Sequence, residues 1–467
     1  MTSFEKKPFN PTKKFAYTQA AKPVNPAQSP RRVAYEILRD VTGSGAYASL
    51  ALDKRLSESR LAGPNRRLAA GLVYDTLENM IKLDYCLDFF LAKKDTDTAI
   101  RDLLRLGACQ ILLYDRVPDS AAVNETVNLA KEVGLEALAP VINGVLRNLI
   151  RGKDEIKYPN PNQEPVKYLS VMFSVPEWVC EKLVAEYGEK TALEIVRFRN
   201  RDSGMIIRPN MQKVTDSHFE RLLNKKVWKW KKLDIPHAYE VTGAVEIGRD
   251  RDFLSGMFSI QSASSMLCAM AVGVKDGWQV LDACAAPGGK SAYMAEMMNG
   301  TGRVYAWDVH PHRVDLISGT QKRLRLENVR PMVRDATVFR EDMETRLDAV
   351  LVDAPCSGFG VMLSKPDVKY RHTPEDIAAL CEVQKNILNT CCRYVKKGGV
   401  LIYSTCSILK EENENQVEAF LQAHPEFTLE TPDIPFKEQQ GEYGLQLLAH
   451  RDHLQEGFFI AKFRRQK

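Results

Sequence analysis

Apolar residues recur every three or four positions through the first third of the chain. Val73, Leu77, Met80, Leu83, Leu87 and Phe90 form one series. Ile100, Leu103, Leu104, Gly107, Ala108, Ile111 and Leu112 form a second, and Leu138, Val141, Ile142, Val145, Leu146 and Leu149 a third. This is the period of a helix face, and nothing from 32 to 152 alternates with period two, so the stretch predicts an all-α bundle. Ahead of it, residues 1–31 hold Pro8, Pro11, Pro23, Pro26 and Pro30 among scattered lysines, the pattern of a disordered arm. Residues 153–250 open with a linker marked by Pro159, Pro161 and Pro165 and continue as a small α+β region. From 251 to 467 the apolar runs Gln279–Leu281, Val304–Trp307, Ala349–Val352 and Val400–Tyr403 are separated by helix-length segments. That spacing predicts βαβ units around a parallel sheet.

Composition changes this picture little. Of the 467 residues 44% are apolar and 27% charged, a balance that argues against wholesale disorder. No apolar run approaches the ~18 residues of a membrane helix, and the lysine-rich start lacks the apolar core of a secretory signal, so a cytoplasmic chain with no membrane partner is expected. The net charge is +5. Residues 1–32 carry seven basic residues against Glu5, so the basicity belongs to the tail and hints at a polyanionic partner. Ten cysteines without a CxxC pair or zinc-finger spacing read as reduced thiols, with no metal.

Four segments carry candidate chemistry. In Asn224–Lys232, Trp228 and Trp230 alternate with Lys225, Lys226, Lys229, Lys231 and Lys232, a pattern that suits base stacking beside phosphates but equally an edge strand with a lysine-guarded outer face. Asp282 leads into Cys284-Ala285-Ala286-Pro287-Gly288-Gly289-Lys290 and then a helix, where small residues allow close approach of a ligand to free N–H groups. Asp308 follows Gly288 by 20 residues, the place of a ribose-binding carboxylate, and Asp335 and Asp353 mark two further strand ends. With no phosphate cradle, this crevice favours S-adenosyl-L-methionine over NAD or ATP. Cys356 and Cys406 follow two of the strands. A thiolate adding at C6 of a cytosine activates C5 toward methylation, and a base must then remove the C5 proton. Two thiols and the Asp353 carboxylate at one crevice suit that chemistry.

The ordered series Phe258–Ser262, Asp282–Lys290, Asp308–Arg313, Asp335–Thr337, Asp353–Gly360, Pro366–Lys369, Tyr403–Ile408, Glu411–Asn415 and Gly457–Phe459 resembles the Sun-type family of RNA 5-methylcytosine methyltransferases. The bundle is similar to the NusB-type RNA-binding domain, with Asn124–Val127 and Ile142–Arg147 as its familiar stretches. The resemblance implies a NusB-like domain over 32–152 and a Rossmann-like methyltransferase domain over 251–467, with the region between them contacting RNA. It implies Cys406 as nucleophile, Cys356 as the release cysteine and Asp353 as the carboxylate beside donor and base. It further implies Cys284 to Lys290, Asp308 on the ribose, Asp335 near the adenine and Asp353 as the cofactor site. The fusion points to 16S ribosomal RNA or a small-subunit assembly intermediate as the partner of a monomeric enzyme. Two places depart from the pattern: Val361–Lys365 lacks a basic pair before Pro366, and Glu456 stands where aspartate usually precedes Gly457. Two rival readings are a DNA cytosine-5 methyltransferase, whose nucleophile would be Cys356, and a non-catalytic RNA-binding assembly factor.

Overall fold

A computed structural model describes residues 29–466 except 95, 200–203, 245 and 246. The chain divides between Lys157 and Tyr158 into two compact units. Most of the expected basic arm lies outside the described residues, but Pro30 and Arg31 already belong to the first helix.

The first unit is helical: α1 (Pro30–Ser44), α2 (Ala48–Glu58), α3 (Gly63–Glu78), α4 (Met80–Asp88), α5 (Thr98–Leu113), α6 (Asp119–Glu132) and α7 (Ala139–Gly152). The periodic series from Val73 to Phe90 is two helices rather than one. Asn79 leaves helical geometry at φ −113° and ties its side-chain amide back to the Asp75 carbonyl at 2.9 Å, which ends α3 and starts α4. α5 is the central rod, with Leu103, Leu104 and Ala108 fully buried, and α7 packs Ile142, Leu146 and Leu149 into the same core. Val141, which the period places with them, is 52% exposed, because the apolar stripe of α7 is narrower than its sequence suggests.

The second unit begins with α8 (Pro165–Phe173) and α9 (Glu177–Arg197). Pro165 starts α8 at its first turn, where a missing N–H costs nothing, so the predicted linker stops short of it. A four-stranded antiparallel sheet follows, ordered β2-β3-β1-β4, from β1 (Met205–Pro209), β2 (Lys229–Lys232), β3 (Tyr239–Thr242) and β4 (Phe258–Ile260). α10 (Asp216–Leu223) packs on its inner face and the short α11 (Arg251–Leu254) precedes β4. The small sheet therefore reaches past residue 250, where the sequence put its end.

Trp228 and Trp230 are both half-buried. Their rings make edge contacts with Phe258 and Tyr239, and Trp230 donates its indole N–H to Asn224 at 3.1 Å. Lys226 pairs with Asp250 and Asp252, Lys231 with Glu240, and Lys232 with Asp216 and Glu220. The alternation is that of an edge strand whose tryptophans face the small core.

The large sheet has eight strands: β5 (Gln279–Asp282), β6 (Arg303–Asp308), β7 (Val329–Val333), β8 (Leu347–Asp353), β9 (Val395–Thr405), β10 (Phe427–Glu430), β11 (Leu445–Leu447) and β12 (Phe458–Arg465). β7-β6-β5-β8-β9 are parallel, and β12, β10 and β11 add an antiparallel edge. The sheet is therefore mixed rather than wholly parallel. α12 (Ala263–Val272), α13 (Gly289–Met297), α14 (Pro311–Leu324), α15 (Pro374–Cys391) and α16 (Glu414–Ala423) accompany it. Strand order reverses between β5 and β8, so a crevice opens beyond their carboxyl ends, where open α/β sheets bind ligands. Arg208 of β1 bolts the two sheets together. It is fully buried, meets Glu296 of α13 at 2.5 Å and donates to Gln261 at 2.7 Å.

Candidate active site

The turn after β5 is held by backbone bonds from Ala283 N–H to Leu351 and from Ala285 N–H to Trp307, at 2.9 and 2.7 Å. Gly288 has φ +102°, and a Cβ there would sit 3.2 Å from the Ile317 backbone, so the turn requires glycine. Cys284, Ala285, Ala286, Pro287, Gly289 and Lys290 line a cleft of about 180 Å³ with Asp282, Gln261 and Asp353. Asp282 is the anchor that the motif reading passed over. One of its oxygens accepts from Ser291 at 2.6 Å, while the other is buried with no hydrogen-bond partner. Burial raises its pKa to about 7. An orphaned carboxylate oxygen in a small cleft fits the ammonium of an amino-acid-bearing cofactor. Burial also pushes the Cys284 thiol well above its ordinary value, which keeps it neutral beside these carboxylates.

Asp308 ends β6, 3% exposed, accepting from the His310 N–H at 3.1 Å and facing Arg313 at 3.3 Å. Beyond β7, Asp335 is exposed and accepts from both the N–H and the hydroxyl of Thr337. It rims a hollow of about 370 Å³ lined by Trp307, Val309, Val333 and Val338 together with Arg334 and Arg340, of a kind that suits a flat heterocycle.

Asp353 ends β8. Lys290 donates to one of its oxygens at 2.7 Å and Ser404 to the other at 2.8 Å. Burial works against the Lys290 charge, but the Asp353 carboxylate holds the ammonium above its ordinary value. Lys290 is thus more than part of the glycine-rich turn. Fifty residues apart in sequence, Cys356 and Cys406 come together with their sulfurs 3.3 Å apart, both half-buried and reduced. The hydrogen bond to Cys406, with burial, pushes the Cys356 thiol well above its ordinary value. Gly360 closes the arrangement: its N–H donates to the Cys406 carbonyl at 2.9 Å, and a Cβ there would collide with that carbonyl and with Gly457. Glu456, one carbon longer than the expected aspartate, accepts from Ser262 and Ser264 at the start of α12. Cys391 and Cys392 are buried, as small core residues.

Residues 269–464 match the family model described as 16S rRNA methyltransferase RsmB/F, and residues 28–151 match the NusB family. A relative from Bacillus subtilis, a probable ribosomal RNA small subunit methyltransferase B, is 36% identical over 94% of this chain and 99% of its own length. The chain belongs to the RsmB/F methyltransferase family. The ribosomal RNA small subunit methyltransferase B of an Escherichia coli strain is 30% identical, covering 87% of this chain and 92% of that protein. The crystal structure of PH0851 shares the fold, with a TM-score of 0.80 at 24% identity over 94% of this chain and 99% of that one. As a member of the family the chain is an S-adenosylmethionine-dependent methyltransferase with a NusB domain ahead of it.

Proposed function

We propose that this enzyme methylates C5 of a cytosine in 16S ribosomal RNA through a covalent bond between Cys406 and C6. The observation that carries the reading is the pair of sulfurs 3.3 Å apart beside the Asp353–Lys290 pair. Cytosine C5 is a weak nucleophile. Addition of the Cys406 thiolate to C6 forms an S–C6 bond and moves the ring's electrons toward C5, while Lys290 and Asp353 supply a proton at N3. Asp282, the Cys284–Lys290 turn, Asp308 and the hollow at Asp335 would hold S-adenosylmethionine, which would supply an electrophilic methyl group for C5, its S–CH3 electron pair leaving with the sulfur as S-adenosylhomocysteine.

Release reverses the addition. Cys356 takes the C5 proton, the C5–H electron pair restores the ring double bond, the S–C6 bond breaks, and the N3 proton returns to the polar pair. The two thiols divide this work in time. A Cys406 thiolate accepts the Cys356 S–H, which holds that proton in place. Once Cys406 is bonded to carbon the acceptor charge is gone, and Cys356 gives its proton to solvent and then acts as base, so one proton is released for each methyl group transferred. The helical unit would hold the RNA, with exposed Arg67 and Arg147 available for phosphates. Arg66 and Arg151 are partly engaged, with Leu56 and Asn148.

The test is methyl transfer from labelled donor to 16S transcript and to duplex DNA, with the product mapped by bisulfite sequencing. Protected cytosine in the transcript alone supports the proposal. Methylated DNA favours the DNA-enzyme reading, and methylation at another base or atom overturns the C5 assignment.

A further inference from the structure

The residue after each reactive cysteine is a serine, and both serines converge on one buried carboxylate. Glu412 is 0% exposed. One of its oxygens accepts from the Ser357 N–H at 2.8 Å and from Gln384 of α15 at 3.0 Å. The other accepts from the hydroxyls of Ser357 and Ser407, each at 2.5 Å. Its own carbonyl accepts from the Tyr403 hydroxyl of β9 at 2.6 Å, and Gln384 also reaches the Pro355 carbonyl at 3.0 Å. Four donors fill the acceptor sites of an ionised carboxylate. Among the described residues no lysine or arginine forms an ion pair with it.

A buried charge without a cation is a costly way to fill a core, and an apolar side chain of similar size would do so more cheaply. What the carboxylate adds is a common point of attachment for two turns that arrive on separate strands. Attack and release take place on neighbouring ring carbons, so the two sulfurs must converge within a narrow tolerance. A displacement of about 1 Å is enough to cost on the order of a hundredfold in rate.

We propose that Glu412 is a positioning residue that clips the Cys356 and Cys406 turns together and so sets the spacing of their sulfurs. The proposal rests on the reading of those cysteines as release and attack groups. The negative charge of Glu412 also adds to the forces that keep the Cys356 proton in place before attack.

The clip is tested with full-length protein carrying Ser407→Ala, which removes the Cys406-side hydroxyl with its contacts to Glu412, Ser357 and the Leu409 N–H, and Glu412→Gln, which keeps the shape and removes the charge. The substrate is a 16S fragment transcribed with 5-fluorocytidine, whose fluorine cannot leave as a proton does, so the covalent adduct persists on a denaturing gel. Adduct formation is expected to slow by about tenfold or more in both variants, within the scale set by misplacement of reacting groups. RNA KM and cofactor affinity should change less than about twofold, so the loss falls in kcat. A purely structural Glu412 predicts a lower melting temperature with an unchanged adduct rate well below the melt, and that result overturns the proposal. Cys406→Ala runs in the same gel. If it still forms adduct, the cysteine assignment itself fails. If it forms none while Ser407→Ala and Glu412→Gln react at the wild-type rate, only the clip fails.

Discussion

Replacing Asp282 with asparagine asks whether the cofactor cleft keeps a carboxylate under strain until an ammonium arrives. Asp282 is 1% exposed, and burial raises its pKa from the ordinary 3.8 to about 7. At about 1.4 kcal/mol per pH unit, the ionised group costs the cofactor-free fold about 4 kcal/mol. The unfolded chain releases this proton near pH 4 and the folded one near pH 7. The group's contribution to stability is therefore whole below pH 4, declines between the two values and is gone above pH 7. Asparagine keeps the acceptor for Ser291 and carries no charge. Cofactor-free Asp282→Asn should be more stable than wild type by a few kcal/mol at pH 8 and no more stable at pH 4. All five tryptophans lie in the second unit, so urea unfolding followed by their fluorescence reports that unit alone. Cofactor affinity should move the other way. In wild type it should tighten as pH rises through about 7, and in the variant it should be flat there and weaker by roughly 1.5–3 kcal/mol, about tenfold or more. Equal stabilities at pH 8, or full affinity in the variant, would refute the reasoning.

Cys406→Ala should abolish methylation while calorimetry finds cofactor affinity within about twofold of wild type; appreciable turnover would transfer the nucleophile's role to Cys356. Cys356→Ala should methylate once and then accumulate an RNA adduct that survives denaturing electrophoresis, and the double variant should form none. Asp308→Ala should weaken cofactor binding by roughly 1.5–3 kcal/mol, read by calorimetry, through loss of a charged acceptor. Arg208→Met should destabilise the second unit by about 3–5 kcal/mol in urea, because Glu296 is left charged and buried, and Arg208→Met/Glu296→Leu should recover most of the loss. A single variant as stable as wild type would deny that bolt its role.

The legible parts of the molecule are those specified by neighbours in sequence. Leu103, Leu104 and Ala108 announce the buried face of α5 by spacing alone, and the turns at Asp282, Asp308 and Asp353 are strand-end motifs that span a few residues each. Pairing between distant segments left weaker traces. β4 lies beyond residue 250 yet pairs with β1, and nothing in Phe258–Ile260 says which sheet will claim it. Trp228 and Trp230 alternate with lysines as either a stacking surface or an edge strand would, and the presence of Phe258 and Tyr239 behind them is a tertiary fact. The orphaned oxygen of Asp282 and the meeting of Lys290 with Asp353 are tertiary facts, because each depends on what else fills the cleft. The sheet's antiparallel edge is likewise a matter of which strands arrive side by side.

That edge has a consequence for the order of synthesis. β12 lies inside the sheet, paired along one side with β9 and along the other with β10 and β11. It is nevertheless made after all of them. While the ribosome is still producing the chain, β9, which leads directly into Cys406, has one row of backbone N–H and C=O groups without their strand. The turn that carries Cys406 acquires its final support only when Phe458–Arg465 emerges and slots into a gap already bordered on both sides. The nascent protein thus passes through a stage in which β5 to β8, with the turn that carries Cys356, can assemble while the Cys406 strand waits. A chain cut short before Phe458 would lose an inner rail of the sheet, and with it the alignment of the strand on which the chemistry depends.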